Sequence, residues 1–148
     1  ALRQARGETV EIWTPELNLG LSGRLPDDWI PDVDTRLSLY ARLARVDETG
    51  ALDAFEAELE DRFGAIPDPA AALLRLTRLR LLARAAGVEK IDAGPAAIAL
   101  TPHGKRALPA VDGLAEKNGR WLLAERIEAD QARVERVAEL LAELGEGD

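Results

Sequence analysis

The 148-residue chain contains no cysteine and no methionine, a single histidine, and few aromatic side chains. Without cysteine there are no disulfides and no thiolate metal sites. A single histidine, His103, rules out paired-histidine metal ligation and the His-Glu-x-x-His arrangement. No apolar run approaches the ~20 residues of a membrane span, and no signal-peptide pattern opens the sequence. The expected compartment is therefore the cytoplasm. The missing methionine, with Ala1 in first place, suggests a piece of a longer protein; residues 1–8 read as the end of an upstream helix or linker.

What is present suits one globular domain. Hydrophobic residues make up 47% and charged residues 31%, a balance that supports a core without metals or disulfides. Net charge is -8. Phosphate binding depends on clustered Lys and Arg, so a basic protein partner fits this surface better than a nucleic acid.

Thr9–Trp13 alternates in polarity and reads as a strand, with Leu17–Leu21 as a second extended piece before a turn at Ser22-Gly23. The segment Leu25-Pro26-Asp27-Asp28-Trp29-Ile30-Pro31-Asp32 is rich in turn residues. Asp27, Asp28, Asp32 and Asp34 lack the Gly and terminal Glu of an EF-hand loop. Asp32 or Asp34 is better read as an N-cap for a helix over 33–46, with Leu37, Tyr40 and Leu43 on its inner face. An acidic helix follows, carrying Leu52, Phe55, Leu59 and Phe63 at intervals of three, four and four. Gly64, Pro67 and Pro69 stop it, and Asp68 is the expected cap of the next helix. That helix, 70–86, is apolar on most sides, which predicts a central position; Gly87 ends it. Val88–Ile91 and Ala96–Leu100 form a predicted hairpin around Gly94-Pro95. A short helix is expected over Pro109–Lys117, then a strand over 120–124. The last helix, 129–144, should dock Val134, Val137, Leu141 and Leu144 on the domain's own core, leaving 145–148 as a loose tail. The fold class is thus α+β, with about five helices and a small, mostly antiparallel sheet in a single domain spanning 9–144.

Catalytic patterns are absent. Gly104-Lys105 lacks the first Gly and the Ser or Thr of a phosphate-binding loop. Ser22 and Ser38 have no nucleophile-elbow context, and His103 beside Pro102 and Gly104 reads as a surface loop residue. No catalytic residue, cofactor or metal is assigned. Two surfaces remain as interaction candidates. Glu58 and Asp61 lie far from the apolar stripe of their helix and three residues apart, so both carboxylates face outward. Arg75, Arg78, Arg80 and Arg84 form a basic stripe on the following helix, the alternative being a nucleic-acid contact. Flanking acidic helices favour ion pairing or solvation instead.

Leu25–Asp32, followed by Thr35-Arg36-Leu37 and Tyr40, resembles the opening of the C-terminal domain of bacterial transcription-repair coupling factors. Glu58-Leu59-Glu60-Asp61-Arg62-Phe63-Gly64, Pro67, Pro69 and Leu79–Gly87 resemble its continuation, in the same order. The resemblance covers about residues 9–100. It implies a non-catalytic domain of an ATP-driven DNA translocase that displaces stalled RNA polymerase and recruits nucleotide excision repair. It implies, further, that the domain packs on the parent's N-terminal excinuclease-B-like module and hides the surface for the excinuclease A subunit. In that family acidic residues before the Arg-Phe-Gly turn contact arginines of the N-terminal module; Glu58 and Asp61 stand at the matching positions.

Overall fold

The computed structural model describes residues 13–104 and 108–146. The chain runs β1 (Glu16–Asn18), α1 (Val33–Ala44), α2 (Thr49–Phe63), α3 (Asp68–Ala86), β2 (Val88–Ala93), β3 (Ile98–Pro102), β4 (Leu114–Lys117), β5 (Arg120–Leu123) and α4 (Asp130–Glu146). The sheet order is β1-β2-β3-β5-β4. Only the β1–β2 pair is parallel; the other pairs are antiparallel. The architecture is α+β with a mixed, mostly antiparallel sheet, as expected, but with four helices among the described residues and not about five.

The missing helix is the one expected over Pro109–Lys117. Its second half is instead β4, which pairs with β5 in register from Leu114↔Leu123 to Lys117↔Arg120. Asn118 and Gly119 link them at φ 53° and 80°, the two positive φ values that a tight hairpin turn requires. Asn-Gly followed by Arg120-Trp121-Leu122-Leu123 is a hairpin signal, and it outweighs the weak helical spacing before it.

α3 is central, as its apolar surface predicts, and it separates two cores. Leu76, Leu79 and Ala83 join the sheet and α4 in one cluster, with Val134, Val137, Leu140, Leu141 and Leu144 contributed by α4. Ala70 and Leu74 join α1, α2, Leu25 and Ile30 in the other. α4 therefore docks on its own domain, and it runs through Glu146, two residues into the expected tail.

Local details shift by a few residues. Asp32 caps α1, its carboxylate accepting from the Thr35 amide at 2.9 Å, so its carboxyl pKa is lowered, chiefly by the Thr35 hydroxyl. Pro67, not Asp68, holds the cap position of α3; Asp68 sits in the first turn, where negative charge complements the helix dipole. Gly87 closes α3 in the left-handed conformation. On α1 the buried pair is Leu39 and Leu43, one turn apart. Leu37, expected inside, is 61% exposed. The Ser22-Gly23 turn is instead a crossing of extended chain over α3, where the Arg24 amide donates to the Pro69 carbonyl at 3.0 Å. Of the expected strand 9–13, only Trp13 is described, and it lies outside the sheet.

One buried cation holds the entry to α4. Arg133 is 6% exposed and donates to the Ile127 and Glu128 carbonyls at 2.9 and 3.0 Å and to Asp130. Removing the guanidinium strands those carbonyls beside the core. Arg133→Met is therefore expected to cost about 2 kcal/mol, read as a lowered urea midpoint at unchanged slope.

Candidate functional site

α2 owes its orientation to its buried face: Leu52, Phe55 and Leu59 are enclosed, and the opposite face carries Asp61. Its C-terminal end is fixed by the turn segment before α1. The Trp29 indole donates to the Phe63 carbonyl at 3.0 Å and packs edge-on against the Phe63 ring. The Leu25 amide donates to the Tyr40 hydroxyl at 2.7 Å, and the Arg36 guanidinium to the Ile30 carbonyl at 2.7 Å. The two stretches that carry the family resemblance thus touch each other. Leu25–Asp32 is a latch that sets where the Arg62-Phe63-Gly64 turn ends. Trp29→Phe keeps the ring contact and loses the indole donor, an expected cost of about 1 kcal/mol in urea unfolding.

Glu58 and Asp61 differ in state. The Glu58 carboxylate is gripped by both terminal nitrogens of Arg42 at 2.7 Å each and by Arg62 at 3.1 Å. Arg42 also lies over the Phe55 ring, 5.2 Å from its centroid. This clasp ties α1 to α2. It pulls the Glu58 carboxyl pKa down from 4.5 to about 2, first through the Arg42 bond and then through Arg62, and correspondingly raises that of Arg42. Asp61 is exposed and has no hydrogen-bond or ion-pair partner among the described residues.

The clasp has a pH signature. A carboxyl that ionises more easily folded than unfolded stabilises the fold fully above pH 4.5, and the contribution disappears as pH falls toward about 2. Because the pair is partly exposed, solvent screening limits it to about 0–1 kcal/mol. Glu58→Gln is expected to lower the urea midpoint at neutral pH. The gap from the unmodified protein should close as the pH is lowered through that window, and also in ~1 M salt.

The arginine stripe of α3 is divided. Arg78 is paired with Asp53 of α2. Arg75, one turn earlier on the same face, lines with Arg78 a groove that also holds Glu56, Glu60 and Glu135. Arg80 and Arg84 face away from both, beside Trp13 and Tyr40. The four do not form one continuous basic track. His103 is not a plain surface loop residue: it stacks on Trp13 with centroids 4.1 Å apart, and its Nδ1 lies 3.0 Å from Glu89. Among the described residues no cluster of His, Cys, Asp and Glu side chains is arranged to hold a metal, and no helix is long and apolar enough to cross a membrane.

A family model described as the TRCF domain matches residues 19–111, more than half of the chain. This chain belongs to the TRCF domain family. The transcription-repair-coupling factor of Escherichia coli is 43% identical over 95 residues, 62% of this chain and 8% of that protein. That of Haemophilus influenzae is 41% identical over 97 residues, 64% of this chain and 8% of that protein. That of Mycobacterium tuberculosis is 39% identical over 103 residues, 66% and 8%. The TRCF chain described here thus spans about 8% of the length of these relatives. A crystal structure of the C-terminal domain of transcription-repair coupling factor matches with a TM-score of 0.73 at 22% identity, covering 90% of this chain and 95% of that one. At that identity the likeness is one of fold, and it extends past the residues that the family model matches.

Proposed function

We propose that this TRCF domain is a non-catalytic, autoinhibitory clamp. It docks on the excinuclease-B-like N-terminal module of its parent coupling factor and covers the surface that the excinuclease A subunit would bind. The parent, in this reading, is an ATP-dependent DNA translocase that removes stalled RNA polymerase; the clamp keeps repair recruitment off until polymerase is engaged. The observation that carries the reading is Asp61: a carboxylate on the outer face of a rigid, latched helix, with no partner among the described residues. An unpaired acid at a fixed position suits an arginine from a facing module.

Glu58 takes a second part. A carboxylate offers about four acceptor sites, and Arg42 and Arg62 occupy three of them. An incoming arginine would share Glu58 rather than own it. Exposed pairs of this kind are worth about 0–1 kcal/mol each, which suits a closed state that must open.

This division dictates the test. Glu58→Arg would break the α1–α2 clasp as well as any docking contact, so Asp61→Arg in the full-length parent is the cleaner variant. It is expected to raise excinuclease A binding without polymerase or DNA by about three- to tenfold, with the urea midpoint of the isolated domain unchanged. If the parent shields that surface as well after Asp61→Arg combined with Glu58→Gln as before, these two acids are not the clamp.

A further inference from the structure

A second surface lies away from the acidic face of α2. A groove of about 450 Å³ runs between α1, α3 and the segment entering β1. Its floor is apolar, built by Leu43, Val46, Leu73 and Leu81, and Arg80 and Arg84 stand at its edge. No described carboxylate lines it. Among the described residues neither guanidinium has an ion-pair or hydrogen-bond partner. They stand one turn apart on α3, and like charges at that spacing destabilise a helix by a few tenths of a kcal/mol. Arg78, on the same helix, is paired with Asp53, whereas Arg80 and Arg84 stand together at the edge of one groove with no described carboxylate in its lining.

The groove also has an apolar extension. Val33, Leu37 and Ala44 fall at i, i+4 and i+11 on α1, a single stripe about 16 Å long. Val33 and Leu37 are 55% and 61% exposed, the large apolar side chains left open on this domain's described surface. Ala44 is shared between the stripe and the groove. The open apolar face therefore meets, at Ala44, the groove edged by Arg80 and Arg84.

We infer that this surface is a docking site for an acidic amphipathic peptide segment of a partner protein. Its aliphatic side chains lie along Val33, Leu37 and the groove floor, and its carboxylates are held by Arg80 and Arg84. The length suits about three helical turns, the helix-in-groove mode of recognition. Planar guanidinium groups bind carboxylates in a bidentate way, which fixes the direction of the segment. Nucleic acid fits less well, because the apolar stripe offers phosphate nothing and the surrounding charge repels it.

The test is selection of a random 16-residue displayed peptide library on the 148-residue protein. Selected peptides are expected to combine carboxylates with aliphatic residues at helical spacing. They should bind the Arg80→Glu, Arg84→Glu double variant at least about tenfold more weakly, and bind Leu37→Asp more weakly too, while all variants keep the parent's circular dichroism and urea midpoint. The proposal is overturned if selected peptides lack acids, or if they bind the double variant equally well. It is also overturned if a thymidine 12-mer displaces them at equal concentration, which would mark a nucleic-acid surface. Concentration-dependent dimerisation abolished by Leu37→Asp would overturn it in favour of a second copy of this chain.

Discussion

Gly23→Ala is expected to lower the stability of this domain by at least about 3 kcal/mol. An added Cβ would stand 2.2 Å from the Leu73 nitrogen, 2.5 Å from its Cα and 2.8 Å from the Ala72 carbonyl carbon. All three atoms are backbone of α3, which is anchored in both cores and cannot give way. The φ of Gly23 is not positive, so the usual left-handed reason for glycine does not apply. By conformational entropy alone alanine would stabilise by about 0.4–1 kcal/mol. The sign is reversed by the close crossing. The chain must lift off α3, which breaks the Arg24–Pro69 hydrogen bond and draws Leu25 out of the helical core. Urea unfolding measures this directly. A loss below about 1 kcal/mol would mean that the crossing relaxes without consequence.

Leu59→Ala is the second large effect, with an expected loss of about 2–5 kcal/mol. Leu59 is fully buried among α1, α2 and the first half of α3, on the face of α2 opposite Asp61. Truncating it leaves a cavity beneath the helix that carries Asp61. Because α3 contributes to both cores, the two halves should still unfold together. Trp29 reports on the helical half and Trp121 on the sheet half. Variants retaining one or the other tryptophan should give coincident transitions. Separated midpoints would show that α3 does not couple the halves. If the proposed docking holds, the same substitution in the full-length protein should weaken it without touching a charge, which separates the placement of Asp61 from its chemistry.

Much of this domain was legible from residue order. The 3.6-residue spacing of Leu52, Phe55 and Leu59, the stop at Gly64 and Pro67, an aspartate cap at Asp32 or Asp34 (the structure chose Asp32) and the end at Gly87 all follow from local chemistry, and local chemistry is written in sequence. So were the two motifs that carry the family resemblance. The hairpin at Asn118-Gly119 was also written there, in its turn dipeptide, although the spacing of Pro109–Lys117 argued for a helix.

Tertiary structure alone decided three things. It put Leu37 outside and Leu39 inside, because the face of α1 that is buried depends on where the Leu25–Asp32 latch lies. It turned Gly23 from a turn residue into a crossing point, since close approach depends on what passes overhead. Above all it separated Glu58 from Asp61. On a helical wheel the two carboxylates are equivalent, because a wheel records direction from one axis. Arg42 comes from another helix, 16 residues earlier in the chain, and only the packing of α1 on α2 brings it within reach of one acid and not the other.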